Sequence, residues 1–319
     1  MIRATSLVFA CGLLSFGANS AETYPARPIR LIVASAPAGG TDFVARATNA
    51  RLSEFLGSQV VIDNRGGVGG LLACELVARA SADGYTLLTI SSNFVALPSL
   101  HKKLPFDVIR DFAPVANVVA TPWILVVNPT IPATSVSQLI EYVRAKKGAI
   151  NYATSGIGSF PHLAAELFKS VAKVEIEHVA YKGGGPATLA VLGNESQLYF
   201  STIPSALSQI KAGRLRALGV TSPKRSVAAP QVPTFLEQGV PLELVGWFGI
   251  FAPAKTPRAV VDLLNATVNK VVALPETSAR LLAEGTEPAN ETAKEFSERV
   301  KQDVKKWGAA VAQAGISAQ

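Results

Sequence analysis

The sequence predicts an α/β protein of two lobes. Three observations predict it: short apolar runs alternate with amphipathic stretches over the first two thirds, glycine-rich segments stand where one gives way to the other, and the last quarter turns to long helices. The first run, Ile29-Arg30-Leu31-Ile32-Val33, is of strand type and breaks at Ala36-Pro37-Ala38-Gly39-Gly40. A helix follows from Thr41 or Asp42, with Phe43, Val44, Ala47, Leu52 and Phe55 broadly on one side. Val60-Val61-Ile62 is a second strand, ended by the glycine run 64–70, and a helix around Cys74 follows. Asp83-Gly84 turns the chain into a third strand over 85–90. Strand, helix, strand, helix, strand at this spacing implies right-handed crossovers and a parallel sheet.

The middle repeats the pattern. A strand is expected over 123–127, and Ser135 with Gln138 three residues on is a capping box that starts a helix ending at Gly148. Further strands are expected near 150–154, 174–181, 198–202 and 215–221. Pro161, Pro186 and Pro204 mark helix starts between them, because the N–H that proline lacks would be unpaired there anyway. After an apolar strand over 244–251 and a linker at 252–257, helices are expected over 258–274 and 293–314. These C-terminal helices are read as returning to the first lobe.

The N-terminus reads as a secretory signal over 1–21. Arg3 supplies a positive charge, an apolar core runs from Leu7 to Phe16, and small residues Ala18 and Ser20 precede a cut before or after Ala21. That core is too short to span a bilayer, and Cys11 sits inside it rather than after a lipid-attachment signature. Cys74 is then the one cysteine left, so an intramolecular disulfide is excluded and a small core residue is expected. The net charge of +7 is spread without a basic block, and the few aromatics are not interleaved with it. This argues against nucleic acid and for a mild field that favours small anions.

Three glycine-rich segments each join a strand to a helix: 37–42, 64–70 and 155–159. Unpaired N–H groups at a helix start favour an anion, and glycine lets backbone approach a ligand closely. Nucleotide motifs fail. No G-x-x-x-x-G-K-[ST] is present, and Gly67-Val68-Gly69-Gly70-Leu71-Leu72 lacks the last glycine of a dinucleotide fingerprint, so carboxylate is favoured over phosphate. An exported hydrolase built on Ser155 or Ser159 with His162 is the enzymatic alternative, but no G-x-S-x-G elbow is present. His101, His162 and His178 are dispersed, so no metal is expected, nor any cofactor. Asp42 and Arg46, four apart, read as an intrahelical ion pair.

At these loops the chain resembles the Bug-type solute receptors of tripartite tricarboxylate transporters. The resemblance runs through Tyr24-Pro25-Ala26-Arg27-Pro28, Pro37-Ala38-Gly39-Gly40-Thr41-Asp42, Asp63-Asn64-Arg65-Gly66-Gly67 and Asp83-Gly84-Tyr85. It continues in order through Tyr152-Ala153-Thr154-Ser155-Gly156-Ile157-Gly158-Ser159, Val179-Ala180-Tyr181-Lys182-Gly183, Leu215-Arg216-Ala217-Leu218-Gly219 and Val232-Pro233-Thr234. It implies a non-enzymatic type II periplasmic binding protein with parallel-rich sheets and two interlobe crossings near 122–124 and 244–246. Lobe 1 would be 22–123 plus 246–319, and lobe 2 would be 124–245. It further implies a small di-, tri- or aromatic carboxylate as ligand, membrane subunits of such a transporter as partners, a monomer, and a periplasmic location. A receptor that senses carboxylate for a signalling system is the other non-enzymatic reading.

The ligand would lie between Gly39, Gly40, Thr41 and Asp42 on one side and Ser155, Gly156, Gly158 and Ser159 on the other. Ser92, Asn93, Lys182, Gly183, Ser201 and Thr202 are the neighbours that the resemblance places in the cleft, and loop 64–70 is assigned to a structural turn or rim. Two positions depart from the family pattern. Ser201 and Ala190 stand where the family usually carries acids. Losing a carboxylate at the cleft would favour a ligand without an amino group.

Overall fold

In the computed structural model, which describes residues 24–146 and 148–313, the chain folds as alternating strands and helices. The predicted signal segment lies outside the described residues. The first βαβαβ run is β1 (Ile29–Val33), α1 (Gly40–Leu56), β2 (Val60–Asn64), α2 (Leu71–Ala78) and β3 (Thr86–Ser91). As the spacing requires, β1 pairs parallel with both β2 and β3. A short 3-10 turn, Ser92–Ala96, and α3 (Leu97–Leu100) follow β3.

The second series comprises α4 (Val136–Lys146), β5 (Asn151–Thr154), α5 (Phe160–Ala172), β6 (Glu177–Ala180), α6 (Gly184–Leu192), β7 (Leu198–Thr202), α7 (Ile203–Lys211) and β8 (Arg216–Val220). All three marked prolines fall in first helical turns. The capping box forms in part: Ser135 Oγ accepts the Gln138 N–H at 3.1 Å, but Gln138 reaches back to the N–H of Thr134 rather than of Ser135.

Two strands tie the series together, and they make the sheet mixed rather than simply parallel. β4 (Phe112–Val127) is 16 residues long, and its first part, through Pro122, pairs antiparallel with β9 (Val245–Pro253). From Trp123 onward the same strand pairs antiparallel with β7 and β8. The resulting path is β2-β1-β3-β9-β4-β7-β5-β6. Beside the switch, Thr221 joins both crossings: its hydroxyl accepts the Trp123 N–H at 2.9 Å and donates to the Leu244 carbonyl at 2.6 Å.

After β9 come α8 (Arg258–Val272), α9 (Pro275–Ala283), β10 (Glu287–Pro288) and α10 (Ala293–Gln313). Residues alternate across each strand, so opposite faces feed different cores. In β9, Phe248 and Ile250 join the layer beneath α1 and α8, whereas Trp247 and Phe251 face α10. There Phe296 meets both rings, at 5.2 and 5.3 Å, and the Trp247 indole donates to Asp303. The C-terminal helix thus returns to the first sheet. Cys74 is fully buried in the same core.

Candidate functional site

The helices start on one cavity. Gly39, Gly70, Ser159, Gly183 and Thr202 are the N-cap residues of α1, α2, α5, α6 and α7, and all five line it. At none of the five does a side chain cap the helix. Unpaired N–H groups and the positive ends of five helix dipoles therefore converge on a small space. Among the described residues no charged side chain lines it. Its positive character comes from the main chain.

The cavity measures about 40 Å³. A water needs roughly 10–15 Å³ on this measure, so the walls stand close. Gly40 shows how close: a Cβ there would lie 2.6 Å from Cγ2 of Thr202 on the opposite wall. At Gly69, where φ is +64°, a Cβ would lie 2.7 Å from the Ile157 carbonyl. Both sites need glycine, the first for approach and the second for approach and conformation.

Two donors of lining residues are buried without a protein partner, the Ser159 hydroxyl and the Trp123 Nε1–H, the latter turned beside Gly246 and the equally unpartnered Ser92 hydroxyl. The residues are 5% and 4% exposed. Buried polar groups are rarely left unpaired, since each costs about 1–3 kcal/mol. The Trp123 ring is held by stacking on Phe160, with centroids 4.3 Å apart and planes 11° apart. Phe160 in turn meets Trp307 of α10 edge-on.

Of the residues singled out in the sequence, Gly39, Gly40, Thr41 and Asn93 line the cavity from the first sheet's side, and Ser155, Ser159, Gly183 and Thr202 from the second's. The others lie outside the lining. Asp42 is turned to its own loop: its carboxylate accepts the Ala38 N–H, the Asn64 amide and the Arg46 guanidinium, each at 2.9–3.0 Å. Burial works to raise its pKa, but these donors together outweigh it and hold the carboxyl below the usual range. The expected Asp42–Arg46 ion pair is present, and Asn64 makes it a clamp between the first two glycine loops.

Ser92 is buried against Gly246 instead. Gly156 and Gly158 shape their loop through positive φ, and Lys182 is exposed. Ser201 is fully buried, with its hydroxyl spent on the Thr202 carbonyl. It therefore sets nothing about charge at the cavity wall.

One assignment from sequence is corrected. Gly67, Gly69 and Gly70 line the cavity, so loop 64–70 is wall rather than rim. Its positive-φ glycines fold the backbone inward. Sequence reasoning also missed Trp123, Tyr199 and Phe248. They come from β4, β7 and β9, and no local motif marks them; only the strand switch at Trp123 brings them here.

Beneath loop 155–159 lies a stack of rings. His178 lies between Tyr152 and His162, with centroid distances of 5.0 and 4.3 Å. His162 Nδ1 accepts the Gly158 N–H at 3.2 Å, and His178 Nε2 shares a hydrogen bond with Thr154 Oγ1 at 2.6 Å. Burial, then the neighbouring His162, lowers the His178 pKa to about 4, and burial also lowers that of His162. Both imidazoles are thus neutral supports. Among the described residues neither Ser155 nor Ser159 is hydrogen-bonded to His162, and Glu166 is engaged by Tyr152 and Lys169. The nucleophile–base–acid relay of a hydrolase is not assembled.

Comparison with known proteins fits this arrangement. A family model described as the tripartite tricarboxylate transporter family receptor matches residues 44–316. BugT of Bordetella pertussis strain Tohama I is 36% identical over 301 residues, covering 93% of this chain and 92% of that one. The periplasmic binding protein BugD superposes with a TM-score of 0.90 at 33% identity, over 93% of this chain and 100% of the other. Rpa4515 of R. palustris, solved with adipate, gives 0.90 at 34% identity with the same coverage.

Proposed function

Because the chain belongs to the tripartite tricarboxylate transporter receptor family, we propose that this periplasmic solute-binding protein captures a small aliphatic dicarboxylate in the cavity and delivers it to the membrane subunits of such a transporter. The observation that carries the reading is the meeting of five uncapped helix N-termini on a cavity without a charged side chain. A carboxylate would accept from the free amides and from the Ser159 hydroxyl, which answers that orphaned donor. With no acid among the described lining residues, nothing there would neutralise an ammonium group. That, rather than Ser201, supports a ligand without an amino group. The closeness of the walls favours a thin, flexible chain over an aromatic ring or a branched tricarboxylate. The adipate held by Rpa4515 is of that kind.

In this reading lobe 1 is 22–123 with 246–319, lobe 2 is 124–245, and the hinge is the pair of crossings held by Thr221. The ligand stabilises the closed form by touching both walls, and the membrane subunits take the closed receptor. Ligand-binding residues are Gly39, Gly40 and Thr41 of the first loop and Ser155 and Ser159 of the facing one, with Gly183 and Thr202. Titration calorimetry of the purified protein against succinate, malate, adipate, citrate, benzoate and aspartate tests this. Tight binding of a dicarboxylate with no response to aspartate is expected. Tight binding of aspartate alone, or turnover of an ester panel, would sink the reading.

A further inference from the structure

Asn93 stands out among the wall residues because its side chain is already fully used within the protein. It lies in the 3-10 turn after β3 and is 3% exposed. Its Nδ2 donates to the Gly69 carbonyl at 2.7 Å and to the Gly158 carbonyl at 3.2 Å. Gly69 belongs to the first sheet's loop 64–70, and Gly158 to the facing loop 155–159. The amide orientation is dictated by its surroundings. Two carbonyls require the nitrogen between them, and Ser91 Oγ donates to Oδ1 on the other side.

Gly158 is held on both sides, its carbonyl accepting from Asn93 and its N–H donating to His162 Nδ1. A continuous run of hydrogen bonds, Ser91 to Asn93 to Gly158 to His162, therefore crosses the cavity from one sheet to the other. The second direct bond across it among the described residues, from Ser205 Oγ to the Ala38 carbonyl, is longer at 3.4 Å.

From this geometry we infer that Asn93 is the closure latch of the receptor: a side chain that fastens loop 155–159 to loop 64–70 by its own bonds when the lobes meet, and so sets what fraction of the free protein is closed. Both of its donors are committed to backbone carbonyls, so it is a positioning residue rather than a ligand contact. The inference rests on the capture reading above and deepens it. Apparent affinity scales with the population able to hold ligand, so a latch that works before binding tightens capture without touching the solute.

The Gly69 bond lies within one lobe and survives opening, whereas the Gly158 bond exists only when the lobes meet. Replacing Asn93 by alanine removes the latch. Replacing it by aspartate also sets a carboxylate against two carbonyl oxygens. The test is single-molecule fluorescence transfer between dyes at Gln59→Cys and Ala145→Cys, both exposed positions on opposite sides of the cavity. Cys74 is fully buried and stays in place.

In the ligand-free protein, a high-transfer closed fraction is expected. Its ratio to the open form should fall about fivefold with Asn93→Ala and more than tenfold with Asn93→Asp. Adding adipate should restore closure in each, at concentrations raised by the same factors. The idea fails if the ligand-free wild-type protein shows no closed fraction, a result that needs no variant to fold. It fails equally if folded Asn93→Ala and Asn93→Asp proteins keep the wild-type ratio. Because the decisive measurement uses no carboxylate, an error about the ligand is told apart from an error about the latch.

Discussion

Replacing Gly40 with alanine adds a single methyl group, and the structure says where it goes. The new Cβ would stand 2.6 Å from Cγ2 and 2.7 Å from Oγ1 of Thr202, whereas ordinary contact begins near 3.4 Å. Thr202 caps α7 across the cavity, so the clash exists only when the two walls meet. Relief requires them to part by roughly 1 Å, or the Thr202 side chain to leave its bond to Ser205. Overpacking of this size costs about 1–3 kcal/mol, which is a loss of about 5- to 150-fold in affinity. The open form feels no such cost, since Gly40 is the first residue of α1 and alanine is at least as good as glycine in a helix. The expected outcome is weakened carboxylate binding by calorimetry with an unchanged melting temperature in the absence of ligand. Thr202→Ala in the same protein removes the two nearest atoms and should recover part of the loss. Wild-type affinity in Gly40→Ala, or a fall in ligand-free stability that matches the fall in affinity, would refute the reasoning.

Ser159→Ala removes the unpartnered hydroxyl that starts α5 without breaking a helix cap; affinity should drop about 5- to 10-fold, the worth of one hydrogen bond, with little change in melting temperature. Asp42→Ala removes the acceptor of three donors that join loops 37–42 and 64–70, and should cost about 2–3 kcal/mol in urea unfolding, together with weaker binding. The pH dependence follows from His178, whose folded pKa of about 4 lies below its ordinary 6.5. The unfolded chain then binds more protons between those values, so stability is fully present above about pH 6.5 and is lost as pH falls towards 4. Melting temperatures should decline across that window, and His178→Asn should flatten the decline; a melting temperature that does not change from pH 7 to 4 would count against the neutral stack.

Much of the fold was legible where local chemistry and tertiary demand agree. The bounds of β1 and β7, the proline-marked starts of α5 and α7, and the return of α10 all followed from apolar spacing and turn residues. The first part of β4 was not legible. Pro114, Asn117 and Pro122 read as breakers, and irregular pairing with β9 between Pro114 and Ala116 and between Asn117 and Val119 spoils the alternation that announces a strand. Only the partner strand makes this segment extended. The site divides the same way. Glycine loops advertise themselves through composition, so Gly39, Gly40, Ser155 and Ser159, which line the cavity, stood out in the sequence. Trp123 and Tyr199 sit in apolar runs that look like ordinary core, and nothing nearby distinguishes a ring that lines a cavity. Loop 64–70 was misjudged because its role depends on φ angles that put Gly69 under Ile157, a distance no sequence spacing reports.

The uncapped helix starts have a consequence for how such receptors diverge. A pocket whose sign is written in the main chain passes down with the fold itself. Substitutions can widen it, narrow it, or add a hydroxyl, but they cannot readily reverse the sign of its wall. Under the proposed capture of a carboxylate, descendants that keep these five peptide ends are free to sample many acids and are held within the acids.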